Sequence, residues 1–217
     1  RVMRIAQRLY EGVGAVRDGL ITYMRTDSLT LSEKSLAETA AHIGKNFGAE
    51  YTNGPRRYKT KAKGAQEAHE AIRPTDAGLH PTEAREFLGP DEAQLYELIW
   101  LRFVASQMAQ AVFDVTQVEV QGGPYTFKAT GTVMKFDGFL KVYGNAEGDD
   151  KKMLPPLEVG QELPLIVMRA EEIFTRPPPR YTEASLIREL ERRGIGRPST
   201  YASIIQTLLR RHYVELD

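Results

Sequence analysis

Apolar positions fall into two regimes along this chain. Up to about residue 109 they recur at helical spacing. From there to about residue 174 they come in β-branched and aromatic runs, after which helical spacing returns. Val2, Ile5, Ala6 and Leu9 predict a helical segment over residues 2–10, stopped by Gly12 and Gly14. Leu20–Met24 is a short apolar run between Gly19 and the polar Arg25–Ser28, and predicts an extended segment. Thr30 with Glu33 three residues on reads as a capping box. It opens a helix to about Phe47, with Leu31, Leu36, Ile43 and Phe47 as its apolar side. Residues 48–65 predict a loop, and Glu67–Ile72 a helical turn ended by Pro74. Thr82–Leu88 and Asp91–Ala109 predict two further helices. In the second, Leu95, Leu98, Ile99, Arg102 and Phe103 form the expected buried stripe, with Trp100 and Val104 beside it.

Val112–Val120, Tyr125–Met134, Phe139–Tyr143 and Leu163–Phe174 predict strands, separated by Gly122-Gly123-Pro124, Asp137-Gly138 and Asn145–Lys152. Pro177, Pro178 and Pro179 predict a stiff hinge. A helix capped by Thr182 and ended by Gly194 follows. A second helix, opened by Pro198–Thr200, runs to about Arg211, and His212–Leu216 begin a strand. That order resembles a helix-turn-helix with the start of a wing. The fold class expected is multidomain α+β. Residues 1–109 form a helical domain, 110–174 an antiparallel β segment and 175–217 a helix-turn-helix segment.

Composition narrows the chemistry. With no cysteine among 217 residues, a disulfide scaffold, a zinc–thiolate site and a cysteine nucleophile are excluded. No apolar run approaches the roughly 20 residues that a membrane-spanning helix needs, and no signal-peptide pattern is visible. The chain starts on Arg1 and ends on what reads as a truncated strand, so a fragment of a longer protein is expected. Net charge is zero, from 29 basic and 29 acidic side chains, but it is unevenly spread. Residues 1–73 carry 13 basic and 8 acidic groups, 74–174 carry 8 and 16, and 175–217 carry 8 and 5. Polyanions are attracted to the two ends, which keeps a nucleic-acid partner open despite a near-neutral pI.

Three constellations could carry chemistry. In Ile21-Thr22-Tyr23-Met24-Arg25-Thr26-Asp27-Ser28 the tyrosine is a possible covalent nucleophile. In an extended segment Arg25 shares its face, where a guanidinium could favour tyrosinate or hold a phosphate. A core tyrosine beside a surface arginine is the bland alternative. In Gln66-Glu67-Ala68-His69-Glu70-Ala71-Ile72-Arg73-Pro74, His69 and Arg73 share a face if the segment is helical. Both could then bind a phosphodiester, or both could be structural. The third is Arg192-Arg193-Gly194-Ile195-Gly196-Arg197-Pro198-Ser199-Thr200-Tyr201. It can be a phosphate clamp at a helix N-terminus or an ordinary helix–helix turn. There is no Asp-x-Asp, no Walker lysine motif, and no metal-ligand spacing among the four histidines.

The three motifs, in this order, closely resemble the bacterial type IA topoisomerase family, as do Ala6–Glu11 and Phe174–Glu191. The resemblance spans essentially the whole chain. It implies relaxation of negatively supercoiled DNA by cutting one strand, passing the other and resealing, without ATP. Tyr23 matches the nucleophile that becomes linked to a 5′-phosphate, and Arg25 the residue that assists it. Asp27 and Arg73 fall within the same motifs and are expected at the DNA-binding surface, and His69 matches a residue contacting the scissile-phosphate region. Arg197, Ser199 and Thr200 match a segment lining the single-strand groove, with Tyr201 and Arg211 alongside. The resemblance places residues 110–174 in one half of a β arch. It puts the magnesium site on a Toprim domain that this sequence lacks, so no metal is expected on this chain. It further implies single-stranded DNA as the preferred partner, a monomer, and a cytoplasmic, nucleoid-associated bacterial protein. The fragment alone is expected not to cleave efficiently. The alternative is a non-catalytic winged-helix DNA-binding module.

Overall fold

The computed structural model of the chain describes residues 1–13, 18–58, 69–144 and 153–216. It is α+β, with seven α-helices and one two-stranded antiparallel sheet among the described residues. The chain forms two compact units, Arg1–Leu157 and Glu158–Asp217.

The first unit is built around α1 (Val2–Glu11), α2 (Glu33–Asn46) and α4 (Pro90–Gln107), with the short α3 (Pro81–Ala84) leading into α4. Leu9, Leu36, Ile43, Tyr96, Trp100, Val104 and Met108 are almost fully withdrawn from water. Each large apolar side chain so buried contributes roughly 1.5–3 kcal/mol before conformational entropy is counted. The inward face of α4 is Ala93, Tyr96, Trp100, Phe103, Val104 and Gln107. The expected stripe is thus rotated. Leu98 stays 59% exposed, Arg102 is exposed, and Leu95 and Ile99 are only partly covered. The polar tips of the aromatics explain it. The Tyr96 hydroxyl donates to the Leu79 carbonyl (2.9 Å) and Trp100 Nε1 to the Ala77 carbonyl (3.0 Å). The loop before α3 can therefore accept two large amphipathic rings that leucines would not satisfy.

Helix α2 is capped by Ser32, whose hydroxyl accepts from Ser35 N, rather than by the expected Thr30–Glu33 box. Thr30 is engaged elsewhere, its carbonyl accepting from Ala71 N (2.7 Å). The chain cannot turn helical until two residues later. The segment expected as a helical turn is also corrected. Residues 69–73 are irregular to extended, while Glu67 and Ala68 lie outside the described residues.

Strands β1 (Val112–Gly122) and β2 (Tyr125–Phe136) pair as an antiparallel hairpin in the register Gly122↔Tyr125 to Val112↔Phe136. Gly123 takes φ 59 at the two-residue connection, as a tight hairpin requires. Its root is fastened to the helices by Tyr51. The Tyr51 hydroxyl donates to Asp137 Oδ1 (2.7 Å), its ring packs on Phe136 (4.9 Å between centroids), and its carbonyl accepts from Ala109 N (2.8 Å). The third expected strand, Phe139–Tyr143, is instead a short helix, α5 (Leu140–Tyr143). Asp137 and Gly138 accept its first-turn amide bonds, from Leu140 and Lys141.

In the second unit α6 (Glu183–Arg192) starts at a Thr182–Ser185 capping box. It stops in a paired closure, Ile195 N to Leu190 O and Gly194 N to Glu191 O, with Gly194 at φ 70. Helix α7 (Tyr201–Arg210) ends the same way, with His212 at φ 54. Two expected strands are corrected here. Leu163–Phe174 has no regular secondary structure and joins no ladder among the described residues, and His212–Leu216 is turn and coil. A strand exists only through a partner's amides and carbonyls, and neither stretch has one among the described residues.

Two outcomes follow. A Cβ on Gly138 (φ 50) would stand 2.5–2.6 Å from backbone atoms of Ala109, Gln110 and Ala111. Gly138→Ala should therefore destabilise the protein by about 1–3 kcal/mol, read from the urea midpoint. His42, set against Trp100 and Phe47, has its pKa lowered by burial, with Asp76 opposing and His80 and Lys45 reinforcing the shift. Its neutral ring suits the fold. The stability it contributes is complete above the ordinary value of 6.5 and is lost as pH falls through the lowered value. His42→Phe should flatten the fall in melting temperature between about pH 7 and about pH 5.

Candidate active site

The site depends on a pairing between residues 19–22 and 71–75. Thr22 N donates to Arg73 O (2.9 Å), Thr75 N to Leu20 O (3.0 Å) and the Thr75 hydroxyl to Gly19 O (2.7 Å). The Thr22 hydroxyl donates to Ala71 O (2.7 Å) and accepts from Arg73 N (3.0 Å). Ile21, almost fully buried, bridges to Pro74 beneath it. Further along, the Ser28 hydroxyl donates to His69 O. Two motifs more than forty residues apart are thereby laid side by side.

Tyr23 emerges at the end of this pairing, 47% exposed. Its ring meets Tyr10 edge-on (5.3 Å between centroids, 69°) and lies 6.1 Å from the His69 ring. Among the described residues no hydrogen bond engages its hydroxyl. Tyr23 and Tyr10 line an open groove of about 590 Å³ with Glu11, Asp18, Gly19, Thr22, His69, Glu70 and Thr75.

Arg25 does not share an extended face with Tyr23 as the sequence suggests. Its amide turns back to Tyr23 O (2.8 Å), so the chain bends at Met24. The guanidinium donates from Nε to Asp27 Oδ2 (3.0 Å) and from Nη1 to His69 Nε2 (2.9 Å). Arginine can only donate, so Nε2 accepts and the imidazole proton sits on Nδ1. Asp27 is largely covered, with its side chain 12% exposed, and Oδ1 is buried without a partner among the described residues. Tyr23, Arg25, Asp27 and His69 thus come together in one cluster.

Arg73 does not join it. Its Nε and Nη2 fork onto Glu70 (2.8 and 3.1 Å), and Nη1 donates to Pro74 O (2.8 Å). Burial pushes the Glu70 carboxyl up, but the bonds from Arg73 and Ser32 outweigh it and hold it below its ordinary value. The shared helical face expected for His69 and Arg73 is absent, because the backbone groups of this stretch are spent on Thr22, Ser28 and Thr30.

In the second unit Arg197, Ser199 and Thr200 are exposed on the turn before α7, with Tyr201 half-buried beside them. The Thr200 hydroxyl accepts from Arg197 N (2.8 Å) and donates back to Arg197 O (3.1 Å), closing the turn rather than capping the helix. Arg192 and Arg193 both bond Glu189 and hold its carboxyl at about 2. Arg211 lies at the other end of α7, about 15 Å away by helical rise, and does not share that turn.

Sequence reasoning assigned no role to Thr22, Ser28, Glu70 or Tyr10. The first three act through backbone groups of distant residues, which no local spacing reveals. Among the described residues no three His, Asp or Glu side chains converge to hold a metal ion. These residues do not fit a magnesium site. No helix is long and apolar enough to cross a membrane.

Comparison with known proteins places the chain. A family model described as DNA topoisomerase matches residues 1–217. DNA topoisomerase 1 of Xylella fastidiosa (strain Temecula1 / ATCC 700964) is 49% identical over 229 residues, covering 100% of this chain and 28% of that protein. The Campylobacter jejuni DNA topoisomerase 1 is 46% identical, covering 100% of this chain and 31% of that protein. Full-length topoisomerase I from Thermotoga maritima superposes with a TM-score of 0.85 at 42% identity, over 99% of this chain and 35% of that one. The chain spans less than a third of the length of the curated relatives it matches.

Thr22→Val would leave Ala71 O and Arg73 N without their side-chain partner. It should cost about 1–3 kcal/mol, measured by chemical denaturation.

Proposed function

This chain belongs to the DNA topoisomerase family, and from that premise we propose that it carries the nucleophile of a type IA enzyme that relaxes negatively supercoiled DNA. The observation that carries the reading is the setting of Tyr23. Its ring is flanked by Tyr10 and His69 with its hydroxyl unbonded among the described residues, beside an arginine held by Asp27 and His69. The Tyr23 oxygen attacks the scissile phosphorus and loses its proton. The bond to the 3′-oxygen breaks, and that oxygen leaves protonated. One phosphodiester is exchanged for a 5′-phosphotyrosine, so the bond energy is kept and resealing is the same step reversed. ATP is not required.

Arg25 offers its remaining donors to the phosphate as charge shifts onto its oxygens. Asp27 and His69 aim the guanidinium, and His69 lines the same groove as Tyr23. We assign Arg73 a structural part, because its guanidinium is already tied to Glu70 and to the Pro74 carbonyl. Arg197, Ser199, Thr200, Tyr201 and Arg211 supply phosphate and stacking contacts along a single strand. Residues 110–174 form half of a β arch, 1–109 the tyrosine-bearing domain and 175–217 part of the base. A magnesium ion would take its ligands from outside these residues.

The test is capture of a covalent adduct between the full-length protein and a labelled single-stranded oligonucleotide in magnesium. Wild type should trap the downstream fragment, and Tyr23→Phe should trap none. An adduct that persists in Tyr23→Phe overturns the reading. The isolated 217 residues should form no adduct. Tighter binding of a duplex than of the single strand would favour the winged-helix module.

A further inference from the structure

Tyr10 has no evident part in holding the fold together. Its neighbour Leu9 is fully buried and anchors the last turn of α1, whereas Tyr10 is 41% exposed and stands outside the apolar core. Its main chain is nonetheless tightly held. Leu20 N donates to Leu9 O (2.7 Å). Gly19 packs so closely that a Cβ there would stand 2.1 Å from the Tyr10 carbonyl oxygen. The end of α1 and the segment leading to Tyr23 are therefore locked together at the backbone. The side chain this lock presents makes one aromatic contact, edge-on to Tyr23 at 5.3 Å and 69°.

We propose that Tyr10 is a positioning residue for the nucleophile: its ring, fixed on α1, sets the orientation of the Tyr23 ring by its edge contact. This rests on the function proposed for Tyr23. A half-exposed tyrosine whose hydroxyl has no partner among the described residues would otherwise sample several side-chain rotamers. Arg25 and His69 are tied to each other, and neither bonds the Tyr23 hydroxyl. An aromatic edge contact is directional as well as apolar, so it narrows the ring's orientations where a buried aliphatic contact would not. Restricting the attacking oxygen to the productive direction raises the rate of the chemical step without requiring any contact between Tyr10 and DNA.

The test compares Tyr10→Leu and Tyr10→Phe in the full-length protein. Three quantities are measured: the single-turnover cleavage rate of a saturating single-stranded oligonucleotide, its Kd, and the melting temperature. Tyr10→Leu should cleave roughly three- to tenfold more slowly, with Kd and melting temperature unchanged. Tyr10→Phe, which keeps the ring edge, should restore the rate. Should Tyr10→Leu melt early, Tyr10→Met fills similar volume and takes its place. The inference is overturned if the aliphatic variant cleaves at the wild-type rate, or if Kd carries the loss, which would make Tyr10 a DNA contact. It is also overturned if Tyr10→Phe is as slow as Tyr10→Leu, which would assign the effect to the hydroxyl. Tyr23→Phe in the same assay separates the two ideas. An adduct in that variant sinks the proposed function itself, whereas a dead Tyr23→Phe with an unimpaired Tyr10→Leu sinks only this inference.

Discussion

One threonine hydroxyl holds the functional cluster together. Thr22 Oγ1 donates to Ala71 and accepts from Arg73, so a single side chain satisfies two backbone groups of a segment with no helix or strand of its own. Irregular backbone is tolerated at a protein surface only where its amides and carbonyls find partners. Here Thr22, Ser28 and Thr30 provide them. The pairing puts Tyr23 next to His69, and every distance in the cluster depends on it. Arg25 completes the arrangement, since its guanidinium ties Asp27, on its own segment, to His69 on the other.

The rigidity is local. Around the cluster stand α1, α2 and α4 with their interlocked aromatics. The Tyr96 and Trp100 tips are satisfied by the loop before α3. The hairpin β1–β2, by contrast, is exposed along most of both strands and is secured to the helices mainly at its root, through Tyr51, Asp137 and Gly138. Isolated two-stranded hairpins are marginal in water. The cross-strand Glu119–Lys128 and Asp114–Lys135 pairs lie in solvent and contribute little.

Helix ends were readable where their chemistry is local. Thr182, Gly194 and the run into α7 stand where spacing and cap residues put them, because a cap needs only residues three or four apart. The readings that failed share a different cause. Thr30 looked like a cap, Glu67–Ile72 like a helical turn, and Arg25 like a face-mate of Tyr23. Each depended on a hydrogen bond supplied from elsewhere in the chain, or on a bend that such bonds impose. The rotated face of α4 has the same origin. Leucine spacing pointed one way, but two aromatics with polar tips found acceptors on the other side.

The linear order of residues determined which chemical groups are present, most of the helices, the β1–β2 hairpin, and the three motifs whose order resembles one family. These depend on periodicity and short-range propensity, which act within a few residues. The tertiary structure alone decided that Tyr23 meets Tyr10 and His69, that Arg25 is aimed by Asp27 and His69, and that Arg73 turns inward to Glu70. Those outcomes depend on which distant backbone groups compete for a given donor. That competition is settled only when the segments are packed together.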